Sequence, residues 1–534
     1  MSKKYLFSLT ITPIQSFIAQ AKSTKDFYSG SQIISELIQE LLTKFPNQED
    51  IIFPASSSVV SNKIIAKIDI EEQEQPSSSV VSNKIIAKID IEEQEQLVEA
   101  LQTSIKSFLS LTALCNGVSL QCDSKETQQL QDVFQLFYAS VEINNNYKKS
   151  YIEVEKNLAI VKNLRRFNQI SSKNICYVCG VREAFCRDKD NRCRCTVCYL
   201  KSKYNNSPYL STAGIASLYW QDGLDTSAYK QNFKSFDEAL FFEENLEEKY
   251  LKKHNHFKSK NIKSIKEELK KLSEEKPSKQ YALINFDGDS VGKILSNGLD
   301  DIELELFHRE FSKKLSNFSE QVKNIISSEK GRVVYSGGDD FLGFVNLYYL
   351  DEVLEEIKKS FDEIVNVYET NISYSTSVVI AHYKAPLHKI IEYSRALLDD
   401  TKNKYSSKDS LVKGGIGIEV YSTTSRLSRF IGERKEFVQL KYFRGKKVNL
   451  YQLEKLFLFA KEEMNYDEYL TILKMMKIEL KRFFLRREIG FSEIDIANIQ
   501  SLLLSQVNKD NSMDLDNFFG FFKTVEQLSK DSNE

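Results

Sequence analysis

Two short acidic motifs carry the clearest chemical signal in the sequence. Asp287 lies in FDGDS, where a predicted strand ends, and Asp339 and Asp340 lie in SGGDDF, at a predicted hairpin turn. Carboxylates gathered at adjacent strand ends repel one another, and their burial is costly without a cation. Two Mg²⁺ or Mn²⁺ ions would resolve that conflict, activating a 3′-hydroxyl and stabilising a leaving pyrophosphate. The motifs therefore predict two-metal nucleotidyl transfer.

The residues around these acids are of types that suit a nucleotide. Glycines permit tight turns and a close approach of backbone to phosphate, and a lysine supplies a point charge. The predicted nucleotide-binding residues are Gly288, Asp289, Ser290, Lys293, Gly337 and Gly338. Two interpretations of Asp289 stay open, a third carboxylate ligand or a turn former. Lys402, in a later predicted helix, is expected on the surface.

Ordinary turn chemistry is the alternative, because Asp-Gly and Gly-Gly-Asp-Asp both suit simple turns. The surrounding pattern favours catalysis. Strand 281–289, helix 302–327, a hairpin at 331–347, helix 351–366, strand 374–382 and helix 387–403 follow one another. This order matches the palm of polymerases and nucleotide cyclases, in which neighbouring strands would bring the two motifs together.

A cysteine cluster predicts a second metal site. Cys176 and Cys179 form one CxxC knuckle, and Cys195 and Cys198 form another. Two such knuckles complete a tetrahedron around Zn²⁺, and four protein ligands indicate a structural ion. Cys186 and Cys193 are surplus, and Cys193 could replace Cys195 as a ligand. A redox role fits two knuckles less well.

The beginning of the chain predicts another α/β unit. Residues 5–11 indicate a buried strand, and 14–22 and 31–44 indicate helices separated at Gly30. Residues 56–75 recur unchanged at 77–96, which favours a recent duplication over a structural repeat. One copy is expected to supply a strand, KIIAKIDI, and the other to loop out. Residues 125–170 are predicted to be mostly helical.

Basic and aromatic residues alternate in 426–447. Such a stretch could bind a phosphate backbone and stack on bases. The alternative is that Phe430, Phe437, Tyr442 and Phe443 are core residues and the basic ones face water. The stretch 481–488 has the same two interpretations.

Bulk properties set only broad limits. A chain of 534 residues is too long for a single hydrophobic core, so several domains are expected. The net charge of -2 neither favours nor excludes binding of nucleic acid. No signal peptide or membrane span is predicted. The cysteines are few, and six of the eight lie within residues 176–198, which favours a cytoplasmic location.

Taken together, these motifs resemble the large subunit of type III CRISPR effector complexes of the Cmr (III-B) branch. The resemblance rests on ITPIQSFIAQAKSTKDFYSGSQIISEL, the paired knuckles, FDGDSVGK with YSGGDDF, and SVVIAHYKAPLHKII. It implies an α+β multidomain fold with two ferredoxin-like, nucleotide-cyclase-like palm domains, a zinc-bearing helical insert and a C-terminal helical bundle. The expected boundaries are 1–150, 151–278, 279–425 and 426–534.

The resemblance also implies an activity. ATP would be polymerised into cyclic oligoadenylate when target RNA is bound, with Asp287, Asp339 and Asp340 holding the metals. The partners would be other Cmr-type subunits, guide RNA and target RNA. No histidine is followed by Asp, so no HD nuclease is expected.

Three alternatives remain at this level. ATP could be coupled to another small molecule such as S-adenosylmethionine, with the same carboxylates. The chain could instead be a non-catalytic scaffold that binds guide RNA and partner subunits. A free-standing diguanylate-type cyclase fits poorly, because no sensor domain is recognisable and the zinc knuckles have no place in it.

Overall fold

A computed structural model describes most of the chain. The described ranges are 4–54, 84–120, 124–143, 146–163, 174–188, 191–204, 209–258, 261–298, 303–337, 339–365, 372–405, 414–444, 492–506 and 514–530, with residues 474, 475, 478 and 482. The first repeat copy, Gly338 and most of 481–488 therefore lie outside the described residues.

The first sheet has four antiparallel strands in the order β2-β3-β1-β4. They are β1 (Lys4–Thr12), β2 (Ile51–Phe53), β3 (Lys84–Asp90) and β4 (Gln135–Glu142). With its helices this is the order of a ferredoxin-like unit, as predicted. The second repeat copy supplies β3. The strand β4 contradicts the prediction that 125–170 is mostly helical.

Five helices accompany this sheet: α1 (Gln15–Ala19), α2 (Thr24–Leu42), α3 (Ile91–Cys115), α4 (Lys125–Gln131) and α5 (Tyr147–Lys162). The predicted break at Gly30 is wrong, since Gly30 lies inside α2. Its missing side chain has a packing reason: a Cβ there would lie 2.9 Å from Cε of Lys201 and 3.2 Å from Cα of Ile18. The glycine marks a close approach, and the helix continues through it.

A segment of short elements links the first sheet to the second. Its strands are β5 (Cys186–Arg187) and β6 (Cys193–Arg194), and its helices are α6 (Thr196–Lys203), α7 (Thr212–Ala216), α8 (Leu218–Gln221), α9 (Ser227–Lys230), α10 (Glu248–Lys253) and α11 (Ile262–Leu272).

The second sheet has six strands in the order β12-β11-β10-β7-β9-β8. They are β7 (Gln280–Gly288), β8 (Gly331–Ser336), β9 (Phe341–Asn346), β10 (Tyr374–His382), β11 (Gly415–Tyr421) and β12 (Arg426–Glu433). The part β10-β7-β9-β8 repeats the strand order of the first sheet. Strands β11 and β12 extend the edge beyond β10, so this sheet passes the predicted boundary at 425.

The helices of this second unit are α12 (Val291–Asn297), α13 (Leu304–Ile325), α14 (Leu350–Ile364), α15 (Leu387–Lys404) and α16 (Arg434–Phe443). After them the described part of the chain contains α17 (Glu493–Ser505) and α18 (Leu515–Lys530), and α18 packs on β12. None of the described helices has the length and apolar character needed to cross a bilayer.

Two apolar cores join the parts of the molecule. One contains Phe7 of β1 together with Leu283 of β7 and Ile391 of α15. The other contains Leu6 of β1 together with Ile284 of β7 and Phe311 of α13. Because side chains alternate along a strand, each sheet contributes one face to each core.

The basic and aromatic stretch at 426–447 is largely structural where it is described. Phe430, Phe437 and Phe443 are buried, as the core interpretation predicted, and Tyr442 is exposed. Several of its cations pair with carboxylates: Arg429 with Asp400 and Glu419, Arg426 with Glu419, Lys441 with Glu355 and Arg444 with Asp351.

Candidate functional site

The two acidic motifs meet at one end of the second sheet. The amide of Gly288 donates a 3.1 Å hydrogen bond to the carbonyl oxygen of Asp339. A Cβ on Gly288 would lie 2.9 Å from Cβ of Asp339 and 3.4 Å from its Oδ2. Glycine is therefore needed at 288, because any side chain would displace the Asp339 carboxylate. Asp287 precedes this contact directly.

The three predicted metal ligands are all buried. Asp287, Asp339 and Asp340 are 5%, 4% and 3% exposed. Buried carboxylates need positive charge nearby if they are to stay ionised. Carboxylate oxygens are also the ligands that Mg²⁺ and Mn²⁺ prefer, so the donor set fits such ions.

Lys402 supplies one positive charge directly, and the sequence analysis misjudged it. It lies on α15, is 4% exposed, and its Nζ forms an ion pair with Oδ2 of Asp287. The prediction that Lys402 is a surface lysine is therefore wrong. Helical spacing could have placed residue 402 on the buried face of α15, in register with Leu398 and Ile391.

Asp289 is held by the strands beside it. Its Oδ1 accepts a 2.7 Å bond from the Ser375 hydroxyl, and its Oδ2 accepts bonds from the Ser373 hydroxyl (2.5 Å) and the Gly414 amide (2.8 Å). The Asp289 amide donates to the Ser373 carbonyl. These bonds tie the loop after β7 to the starts of β10 and β11, which favours the turn-former interpretation.

The remaining predicted nucleotide residues border the acidic centre. Ser290 has a left-handed backbone (φ 56°) and precedes α12, and Lys293 is exposed on that helix. Gly337 donates its amide to the Asp340 carbonyl at 2.8 Å, closing the hairpin turn. Lys293 is thus free to face an incoming anion, whereas Gly337 shapes the turn.

A second group of ionisable side chains surrounds the acids, and sequence analysis did not find it. Burial raises the pKa of the Tyr335 hydroxyl, and Asp340 raises it further, while Arg395 lowers it. Burial and Asp400 raise the pKa of Asp399 on α15 to about 6. Arg395 also donates to the carbonyl of Gln15 at 3.4 Å. The first unit therefore reaches the acidic site through this arginine.

A cavity of about 410 Å³ lies between α2 and β8. Its lining includes Tyr28, Gln32, Arg332, Tyr335 and Gly337. Two of these residues, Tyr335 and Gly337, belong to the acidic hairpin or to the strand before it. The cavity therefore borders the turn that carries Asp339 and Asp340, although neither aspartate is in its lining.

The cysteine knuckles converge as predicted. The sulfur atoms of Cys176, Cys179, Cys195 and Cys198 lie within 4.8 Å of one another, and those of Cys179 and Cys195 are 3.8 Å apart. Tetrahedral Zn–S bonds near ~2.3 Å place sulfurs about 3.8 Å apart, so the cluster could hold zinc. Cys186 and Cys193 lie on β5 and β6 instead, so replacement of Cys195 by Cys193 is wrong.

A buried lysine connects these knuckles to the first unit. Lys201 lies on α6, the helix that contains Cys198. It is 1% exposed, and its ammonium donates to the carbonyls of Phe17 (2.7 Å) and Gln20 (2.8 Å). Arg182 donates to the Gln20 side chain at 2.7 Å. The cysteine region thereby holds the end of α1, whose first residue contacts Arg395.

Comparison with known protein families gives two matches along the chain. Residues 280–412 match the second palm domain of Cas10/Cmr2, and residues 6–113 match the N-terminal region of the CRISPR-associated protein Cmr2. CRISPR system Cmr subunit Cmr2 of Pyrococcus furiosus is 30% identical over 162 residues. That match spans 26% of this chain and 18% of the relative.

Solved structures share the fold over nearly the whole chain. A chain of the type III-B Cmr-beta complex in its apo state has a TM-score of 0.61 at 13% identity, covering 98% of this chain and 82% of that one. A chain of the same complex bound to cognate target RNA has a TM-score of 0.59 at 13% identity, and the match covers 99% of this chain and 83% of that one.

The family matches fall on the parts that build the acidic site. The second palm match contains Asp287, Asp339, Asp340 and Lys402, and the N-terminal match contains the helices that reach Arg395 and the cavity. Residues 6–113 and 280–412 are therefore similar to Cmr2 and to the second palm domain of Cas10/Cmr2, and the chain shares the fold of the Cmr-beta chains.

Proposed function

We propose that this chain joins ATP molecules into a cyclic oligoadenylate within a type III effector complex when target RNA is bound. The observation that supports this most is the contact between the two acidic motifs, where Asp339 packs directly against Gly288. Buried carboxylates from separate segments are characteristic of metal-dependent phosphoryl chemistry. Other Cmr-type subunits, guide RNA and target RNA are the proposed partners.

The carboxylates of Asp287, Asp339 and Asp340 would hold Mg²⁺ or Mn²⁺. When bound, such ions lower the pKa of a 3′-hydroxyl and neutralise charge on the leaving pyrophosphate. Lys402 balances the charge of Asp287. The ammonium of Lys402 contacts Asp287, one of the proposed metal ligands. If a metal ion neutralised Asp287, this ammonium could turn towards a phosphate.

The other residues would orient the nucleotides. Lys293 is exposed beside the acidic loop and could bind phosphate oxygens. The cavity between α2 and β8 offers hydroxyl, amide and aromatic groups that suit a base or ribose. Asp289 would act indirectly, by fixing the loop that carries Asp287 against β10. Zinc in the knuckles would be structural.

The decisive experiment uses the assembled complex. Labelled ATP, Mg²⁺ or Mn²⁺ and target RNA are incubated with the unaltered chain and with Asp339→Ala/Asp340→Ala, and products are identified by mass spectrometry. We expect RNA-dependent oligoadenylate only from the unaltered chain. A product containing a second small molecule would change the substrate assignment, and no RNA-dependent product from either sample would support a scaffold role.

A further inference from the structure

Three tyrosines form an aromatic surface at the end of the second sheet opposite the acidic hairpin. Tyr219 and Tyr348 stack with ring centroids 3.6 Å apart at 10°, and Tyr349 meets Tyr219 and Tyr348 edge-on at 5.9 and 5.1 Å. Tyr219 and Tyr348 are 42% and 59% exposed. We call Tyr219, Tyr348 and Tyr349 the tyrosine platform.

A buried asparagine fixes the shape of this platform. Asn346, 2% exposed at the end of β9, donates its amide to the carbonyls of Ile215 (2.9 Å) and Ala216 (2.8 Å) at the end of α7. Its Oδ1 accepts from the Tyr348 amide at 3.0 Å. The end of α7, which leads into Tyr219 on α8, and the turn that carries Tyr348 are thus joined through one side chain, so the rings are pre-organised for binding.

The surroundings of the platform are acidic. Burial raises the pKa of Tyr349 most, and Asp222, Glu329 and Glu352 raise it further. The pKa of Tyr219 is raised first by its contact with Tyr348 and also by Glu275. All four carboxylates belong to exposed residues. Lys330 is the cation that pairs with Glu352, and it also pairs with Glu356.

This charge decides which kind of ligand suits the aromatic rings. A polyanion such as RNA would be repelled by the carboxylates. A cation would be attracted both by the carboxylates and by the electron-rich ring faces. Tyrosines with exposed faces are also frequent anchors in protein interfaces.

We propose that the tyrosine platform is a docking site for a cationic segment of a partner protein, with an Arg or Lys side chain lying over the exposed rings. The site is separate from the acidic centre, because β9 runs between them, with the acidic hairpin at its first end and the platform at its last.

Photochemical cross-linking in the assembled complex tests this proposal. Benzoylphenylalanine replaces Tyr348, the complex is illuminated, and the attached peptide is identified by mass spectrometry. We expect a peptide of another subunit with Lys or Arg beside the point of attachment. The matched control places the same group at Tyr393, which is 36% exposed and stacks on Tyr421, and is expected to give no such adduct.

An adduct with RNA, with a second copy of this chain or with an uncharged or acidic peptide would overturn the proposal. So would the absence of any adduct, or the same adduct from both positions.

A titration provides the second test, in which the identified peptide is added to the unaltered chain and to Asp222→Lys/Glu329→Lys. We expect affinity to fall about tenfold, with the difference shrinking at high salt. Equal affinities would contradict the proposal. Neither the cross-linking nor the affinity measurement requires nucleotide synthesis, so the test of the tyrosine platform is independent of the proposed enzymatic function.

Discussion

At the scale of single residues, the acidic centre has a balance of charge that involves more than its carboxylates. Asp287 is paired with Lys402, Asp289 accepts three hydrogen bonds, and Asp399 lies near Arg395 on the same helix. Asp289 therefore holds the loop, whereas Asp287, Asp339 and Asp340 are the proposed metal ligands. Each of these roles can be tested by substitution.

Replacing Lys402 separates charge balance from packing. Lys402→Met retains the length of the side chain but leaves Asp287 without its ion pair, which we expect to lower the turnover of ATP at least tenfold. The measurement is a steady-state rate at saturating metal. Lys404→Met is the matched control, two positions along the same helix, and is expected to keep most activity. Equal rates for the two variants would remove Lys402 from the site.

Replacing Asp289 tests its structural role. Asp289→Ala removes three hydrogen bonds to a carboxylate, each worth about 1.5–3 kcal/mol, so a clear fall in the free energy of unfolding is expected. Chemical denaturation measures it, with exposed Asp225→Ala as the control. If Asp289→Ala retained full stability and lost only activity, Asp289 would be a ligand of the reacting groups instead.

Asp399 gives a pH dependence with a defined sign. Its folded pKa of about 6 is raised above the ordinary value of 3.8 by burial and Asp400, so the folded protein binds the proton more tightly than the unfolded chain. Its contribution to stability is present below pH 4 and is lost as pH rises through 6. Asp399→Asn should therefore be relatively more stable than the unaltered protein above pH 6, measured by melting temperature against pH. A difference that did not change with pH would contradict this.

At the scale of elements, sequence pattern predicted the motif-bearing strands well and the packing poorly. Periodicity and turn residues located β1, β7, the β8–β9 hairpin and β10, because those signals are local. The strand β12 was missed because its basic residues resemble a solvated surface, while their carboxylate partners lie on the neighbouring strand and on α15. Gly30 was misjudged because its close contact is with Lys201, in a distant segment of the chain.

The close contact at Gly520 predicts how α18 is attached. A Cβ there would lie 1.9 Å from the carbonyl oxygen of Arg429 on β12, and backbone cannot move aside cheaply. Gly520→Ala should therefore loosen α18, although alanine favours helices by about 1 kcal/mol. Hydrogen exchange across 515–530 should rise in this variant and stay unchanged in Lys523→Ala, an exposed position on the same helix. Equal exchange in both would refute the contact.

At the scale of the whole molecule, the two sheets with their helices and the cysteine region form one connected structure. The knuckles hold α1 through Lys201 and Arg182, and the start of α1 meets Arg395 beside the acids. The convergence of the four knuckle cysteines was predictable from spacing alone, because two CxxC knuckles at this separation are typical of a zinc site. The connection of the knuckles to α1 was not predictable, since it depends on the positions of backbone carbonyls.

Loss of zinc should therefore affect the segment around α1 as well as the knuckles. Cys176→Ser/Cys179→Ser is expected to remove about one equivalent of zinc and to increase hydrogen exchange in 15–22, because Lys201 loses its fixed position. Metal analysis and exchange are measured together. Cys186→Ser, outside the cluster, is the control and should change neither. Unchanged zinc content in the double variant would reject the site.

The central claim is that Asp287, Asp339 and Asp340 together hold divalent cations beside a nucleotide. Electron paramagnetic resonance of Mn²⁺ titrated into the complex with a non-hydrolysable ATP analogue tests it most directly. We predict two nucleotide-dependent Mn²⁺ ions per chain, with the spin coupling of neighbouring ions, and their loss in Asp339→Asn/Asp340→Asn. Mn²⁺ binding that is identical in the two proteins, or absent from both, would contradict the account.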